Sequence, residues 1–127
     1  MFTILVVDDD ADVVESVSTL LELRFGRCAR IVTARDGAQA LAMAVAANPD
    51  LIVTDYAMPI MDGAALVRGA RRVPALRDVP ILILSGEPAL AELTRDLDVQ
   101  AVLRKGDIME LPNVARRFLP TQCRQVA

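Results

Sequence analysis

Five short, mostly apolar runs punctuate the chain, each cut off by polar or turn-forming residues: Thr3–Val7, Arg30–Ala34, Leu51–Thr54, Ile81–Leu84 and Val99–Leu103. Runs this short, without sustained polar alternation, fit strands covered on both faces. Between them apolar residues recur at helical spacing. Val13, Val14, Val17, Leu20 and Leu21 make the first such face. Asp10 or Asp9 is placed to cap that helix, Asp12 lies near its positive end, and Gly26 stops it. Asp36, with Gln39 three residues on, predicts a capping box that opens a helix through about Ala46, ended by Asn48-Pro49.

After the third run, Pro59 and Gly63 enforce a loop, and Asp62 caps a helix over Ala64–Arg72 with Leu66, Val67 and Ala70 inward. Pro74 and Pro80 bracket a linker. Pro88–Asp96 carries Leu90, Leu93 and Leu97 toward the interior, with Pro88 suited to a first turn. Asp107 and Glu110 look like another capping box, but Pro112 would lose a bond in a helix begun there. A single turn at Asp107–Glu110 leading into a helix through Phe118 satisfies both. The expected domain is therefore residues 1–119, with 120–127 as a loose tail. Strands alternating with helices predict an α/β chain with a doubly wound parallel sheet of five strands; periodicity leaves the strand order open.

Composition adds bounds to this picture. The chain has 127 residues, enough for one domain with a buried core, and 54 % of them are apolar, which argues against a disordered chain. A net charge of −3 argues against direct binding of nucleic acid across the surface. The basic pairs Arg71-Arg72 and Arg116-Arg117 read as solvated helix ends. Cys28 and Cys123 are too few for a disulfide framework and are expected as free thiols in a reducing cytoplasm. No apolar run approaches the roughly 18 residues of a membrane span, and Asp8-Asp9-Asp10 breaks the N-terminal apolar stretch too early for a signal peptide. A cytoplasmic protein with no membrane partner is the expectation.

The strand ends carry the chemistry. The first run ends in Asp8-Asp9, the third in Asp55, the fourth in Ser85 and the fifth in Lys105. In a parallel sheet these ends share one edge, where ligands of open α/β sheets bind. Carboxylates so close raise one another's pKa unless a cation joins them. Mg2+ answers that cost: it takes oxygen ligands, one or two carboxylates with waters and a phosphate. Asp9 and Asp55, with water and a backbone carbonyl such as that of Ala57, could supply such a site, and Asp8 could join directly or through water. That chemistry points to phosphoryl transfer, with a carboxylate as nucleophile. Lys105 would hold one phosphoryl oxygen as a point charge and Ser85 would hydrogen-bond another.

The segments ILVVDDD, PDLIVTDYAMPIMDG, PILILSGE and VLRKG together resemble the response-regulator receiver domains of two-component signalling, from about Phe2 to Phe118. The resemblance implies a flavodoxin-like receiver fold with strand order 2-1-3-4-5. It implies phosphate transfer from a histidine kinase or phosphotransfer protein to Asp55, with Mg2+ held by Asp8, Asp9, Asp55 and the carbonyl of Ala57. Ser85 and Lys105 match the family's hydroxyl and lysine positions. A module of this kind assists only its own phosphorylation and dephosphorylation and is not otherwise an enzyme; its downstream protein and any dimer are unspecified.

Three positions depart from the family pattern. Val102 stands where a Tyr or Phe usually relocates on activation, Gly106 stands where a proline usually follows the lysine, and the segment between Ser85 and Lys105 is short, which predicts a reduced fourth helix. A cis bond is cheap only before proline, so a trans or altered loop is expected at Gly106. All three bear on the output surface, which the sequence marks as atypical. Two rival readings stay open. One is a receiver-like interaction module that is never phosphorylated. The other is an aspartate-nucleophile phosphatase, suggested by Asp8-x-Asp10, although Asp12 stands where such enzymes want Thr or Val.

Overall fold

The computed structural model describes residues 1–120. Five strands, β1 (Phe2–Val7), β2 (Ala29–Ala34), β3 (Leu51–Thr54), β4 (Ile81–Ser85) and β5 (Ala101–Arg104), form one sheet in the order β2-β1-β3-β4-β5. Every pairing is parallel. The crossovers are α1 (Ala11–Phe25), α2 (Gly37–Ala47), α3 (Gly63–Arg72) and a single turn, α4 (Leu90–Leu93); α5 (Leu111–Phe118) follows β5. The flavodoxin-like order implied by the resemblance is the order found.

The strands are apolar throughout because both faces are covered. Ile4, Val6, Leu51, Val53, Leu82 and Leu84 face α1 and α5, meeting Val17, Leu21, Phe25, Leu111 and Ala115. Leu5, Val7, Ile52 and Ile81 face the other way, onto Ala40 and Ala44 of α2 and Leu66, Val67 and Ala70 of α3. The alternation along β1 assigns neighbouring residues to opposite cores, as the period of a strand requires. Helix starts follow the acids read in the sequence. Asp10 caps α1 by accepting from Asp12 N–H, and Asp62 caps α3 by accepting from Ala65 N–H. Asp36 caps α2 through Gln39 N–H, while the Gln39 side chain returns to Arg35 N–H at 2.7 Å.

Several expectations are corrected. The helix read over Pro88–Asp96 contracts to α4. Leu93 is 41 % exposed, and the buried position passes to Thr94, whose hydroxyl donates to Leu90 O at 2.7 Å. β5 begins at Ala101 rather than Val99, because Gln100 bonds Ile81 from both its backbone N–H and its side-chain oxygen before the ladder starts. Asp107 and Glu110 make no cap, but the turn expected there leading into a helix through Phe118 is found: residues Lys105–Glu110 wind as a 3-10 turn into α5, with Pro112 in the first helical turn, where it loses no bond. Arg71 is no solvated helix end, because its guanidinium is taken up by the carbonyls of Leu76, Val79 and Asp98. Cys28 is buried and disulfide-bonded, not a free thiol: a low cysteine count rules out a framework but not one bond. Cys123 and positions 121–127 of the expected tail lie outside the described residues. No cis peptide bond occurs among the described residues, in line with the expectation at Gly106.

Candidate functional site

Register brings the strand-end acids together. Val7 pairs with Ala34 on one side and Thr54 on the other, so Asp8 and Asp55 leave adjacent strands at the same level. Asp55 N–H extends the ladder to Val7 O at 2.9 Å, and Asp8 N–H does the same to Ala34 O at 3.2 Å. Backbone order thus runs one residue past the strands and fixes both carboxylates. On the other side Ser85 pairs with Arg104, which places Lys105 one residue beyond the hydroxyl.

Carboxylate oxygens of Asp8, Asp9 and Asp55 lie within 4.8 Å of one another. Asp8 and Asp55 are buried while Asp9 is exposed, so the cluster opens to solvent on one side. Lys105 Nζ stands 3.2 Å from Oδ2 of both Asp8 and Asp55. This bridge is lopsided. Burial pulls the Lys105 ammonium down, but the hydrogen bond and charge of Asp55, joined by those of Asp8, outweigh it and leave its pKa above the ordinary value. Desolvation pushes the Asp8 carboxyl above its ordinary value. The neighbouring Asp55 adds to that push, while the Asp10 N–H and Lys105 only partly counter it. One ammonium is shared between two desolvated acids, and the third acid faces water. Three carboxylates around one edge-open point, with one cation among them, form a donor set that fits a hard divalent ion with room for water ligands.

The remaining sequence-derived residues fall nearby. Ser85 is buried at the end of β4, and its hydroxyl accepts from Glu87 N–H at 3.3 Å. Ala57 is exposed in the turn two residues beyond Asp55. Tyr56 N–H donates to Asp55 Oδ1 at 2.7 Å, fixing the carboxylate's second oxygen. Val102 is 37 % exposed on β5, and Arg104 reaches the carbonyl of Glu87 at 3.4 Å.

Sequence reasoning missed the parts that hold the loop after Asp55. Gly63, read only as a stop, donates its N–H to Tyr56 O at 2.7 Å and starts α3 hard against the turn. Gly37 donates to Met61 O at 3.1 Å from the start of α2. Between them Ile60 takes φ 70° while 86 % exposed, a left-handed conformation that costs a β-branched residue on the order of 1–3 kcal/mol. Arg35, at the end of β2, sends Nη2 to the Asp9 carbonyl at 3.3 Å. The turn motif Pro59…Gly63 signalled the loop, but nothing in the sequence signals which distant residues clamp it.

A family model described as the response regulator receiver domain matches residues 4–108. Among curated proteins, the transcriptional regulatory protein PrrA of Mycobacterium bovis is 38 % identical over 98 residues, covering 77 % of this chain and 40 % of that protein. The chain therefore spans well under half the length of that relative. Among solved structures, the chemotaxis protein CheY4 of Vibrio cholerae superposes with a TM-score of 0.82 at 31 % identity, covering 94 % of this chain and 99 % of that one. The receiver domain of a signal transduction histidine kinase from Syntrophus aciditrophicus gives 0.84 at 26 % identity, covering 100 % and 98 %.

Proposed function

The chain belongs to the response-regulator receiver family, and from that premise we propose that Asp55 accepts a phosphoryl group from the phosphohistidine of a histidine kinase or phosphotransfer protein. The observation that carries this reading is the meeting of Asp8, Asp9 and Asp55 within 4.8 Å, with Lys105 between two of them. Asp8, Asp9, Asp55 and the Ala57 carbonyl would hold Mg2+. When bound, that ion neutralises phosphoryl charge that three acids would otherwise repel. A carboxylate oxygen of Asp55 attacks phosphorus in line, the bond from phosphorus to the imidazole nitrogen breaks, and its electron pair stays with the imidazole. Tyr56 N–H steadies the Asp55 oxygen it already binds. Lys105 turns from carboxylate to phosphoryl oxygen as a fixed point charge, and Ser85 donates its hydroxyl proton to another oxygen.

Ser85 is also the residue through which the event leaves the site. Its hydroxyl accepts from Glu87 N–H, so its movement toward a phosphoryl group pulls on the β4–α4 loop. The switch is a local change of charge biasing a loop with two positions. With Val102 rather than an aromatic ring on β5, the surface read by the downstream protein differs from the usual one. On this reading the chain is a cytoplasmic signalling module that turns over no separate substrate, and residues 1–119 are its functional unit.

Incubation with acetyl phosphate and Mg2+ tests the reading. An acid-labile phosphate on the wild type, absent from Asp55→Asn, supports it. No phosphate on the wild type, together with no Mg2+-dependent change in Tyr56 fluorescence on adding beryllofluoride, overturns it in favour of a silent interaction module, a reading that Val102 keeps in play. Tyr56 suits the assay as the sole tyrosine in a chain without tryptophan. Hydrolysis of a phosphate ester lost in Asp8→Asn but kept in Asp55→Asn would instead mark a phosphatase.

A further inference from the structure

Asp9 is the outlier of the acid cluster. Asp8 is held by its ladder bond to Ala34, by its own acceptance of Asp10 N–H and by Lys105. Asp55 is held by Val7, Tyr56 and Lys105. Asp9 is exposed, and its backbone is contacted from the end of the neighbouring strand: the Nη2 of Arg35 donates to its carbonyl oxygen at 3.3 Å. Arg35 is itself anchored. Its N–H is bound by Gln39 Oε1 at 2.7 Å, and the adjoining Asp36 caps α2, so the guanidinium stem rises from a fixed point at the end of β2. A planar guanidinium on a pinned backbone is a suitable brace for a carbonyl.

We propose that Arg35 is a positioning residue for Mg2+ binding: it braces the β1–α1 turn so that the carboxylate of Asp9 stays within reach of those of Asp8 and Asp55. The inference rests on the phosphoacceptor reading above and deepens it. Arg35 touches neither the carboxylates nor any reacting atom. Its bond holds one exposed turn and buries nothing, and water solvates the carbonyl once the guanidinium is gone, so removing it frees the turn while costing the global fold little. What changes is how often the turn presents Asp9 in register with its partners, and an ion needing several oxygens at fixed separations responds to that. The guanidinium charge acts in the opposite sense, repelling a cation through solvent. That repulsion is screened on this exposed rim, whereas a misplaced ligand is felt directly.

Mg2+ titrations of the full chain, followed by Tyr56 fluorescence without any phosphoryl donor, decide the matter. Arg35→Ala is expected to raise the half-saturating Mg2+ concentration roughly three- to tenfold while reaching the same limiting signal. Arg35→Lys, which keeps a donor and the charge, restores most of the affinity. Arg116→Ala removes the same charge from exposed α5 and leaves the titration unchanged. Thermal midpoints measured in chelator stay together for all three variants. An unchanged or tighter Mg2+ titration in Arg35→Ala overturns the proposal, as does a loss of affinity tracking a fall in the metal-free midpoint. A wild type that shows no Mg2+ response at all counts against the phosphoacceptor reading itself, a result distinct from either.

Discussion

A Cβ placed on Gly63 would stand 2.3 Å from the backbone oxygen of Asp55 and 2.9 Å from Cα of Tyr56. The start of α3 is thus pressed against the candidate phosphoacceptor's own main chain, and only a missing side chain permits the contact. Because the obstacle is backbone, no rotamer change relieves it. Gly63→Ala must push the turn outward, costing about 2 kcal/mol as overpacking does, and must shift Asp55 relative to Asp8. The expected outcome is a lower thermal midpoint together with weaker Mg2+ binding. A variant that keeps both would show that the turn adapts freely.

Arg71 holds the opposite end of the sheet. Its guanidinium donates to the carbonyls of Leu76, Arg77, Val79 and Asp98 and to Gln100 Oε1, and it pairs with Asp98 Oδ2 at 3.2 Å. One side chain, 13 % exposed, stitches the entrances of β4 and β5 to α3. Arg71→Ala leaves several carbonyls in need of water and should cost roughly 2–3 kcal/mol in chemical denaturation. Arg71→Lys should recover little, because an ammonium lacks the forked geometry. Neither should alter Mg2+ binding, since the contacts lie at the far edge from Asp55. Loss of Mg2+ affinity in Arg71→Lys with intact stability would contradict this division.

Buried and beside a second acid, Asp8 carries an ionised form that the fold disfavours without metal. Its pKa is raised on folding by desolvation, so the folded chain holds this proton more tightly than the unfolded one. The resulting stability is fully present below the unfolded value of 3.8 and is lost as pH rises through the raised folded value. Asp8→Asn removes that loss. In chelator at neutral pH it should be more stable than the wild type, and the difference should vanish as acid protonates Asp8. Denaturant midpoints across pH check the sign. A destabilised Asp8→Asn at neutral pH would show that the Lys105 bridge outweighs desolvation.

The acid cluster was legible because each carboxylate directly follows an apolar run, and parallel strands gather such ends whatever the order of strands. The order itself came from the family resemblance, since periodicity carries no information on which strands pair. Leucine spacing misled at α4: Leu90, Leu93 and Leu97 lie at helical intervals, yet a buried Thr94 hydroxyl bonded to Leu90 O displaces Leu93 to the surface. Arg71 was illegible for a different reason. An arginine pair at a helix end fits the dipole and looks complete on the surface, and nothing local shows that two loops will fold over one member of the pair. Arg35 and Gly37 act across strands, so their roles exist only once the sheet is assembled.

Lys105 competes with any ion for the same oxygens. Its Nζ lies 3.2 Å from Oδ2 of Asp8 and of Asp55, two of the three carboxylates expected to ligate Mg2+. A divalent ion entering the cluster must share those oxygens with an ammonium whose own pKa is raised by them. Replacing the ammonium by an apolar side chain of similar length removes a competitor and leaves the acids less neutralised. Lys105→Met should therefore bind Mg2+ several-fold more tightly in the Tyr56 titration while melting at a lower temperature in chelator, because two desolvated carboxylates lose their cation. The same variant should still take phosphate from acetyl phosphate, only more slowly, since the proposed nucleophile and the proposed metal ligands remain, but should lose the expected response of the β4–α4 loop to phosphorylation. Hydrogen exchange over residues 85–90, with and without beryllofluoride, reads that response. If Lys105→Met binds Mg2+ more weakly than the wild type, the ammonium helps to assemble the metal site, and the competition argued from these distances is wrong.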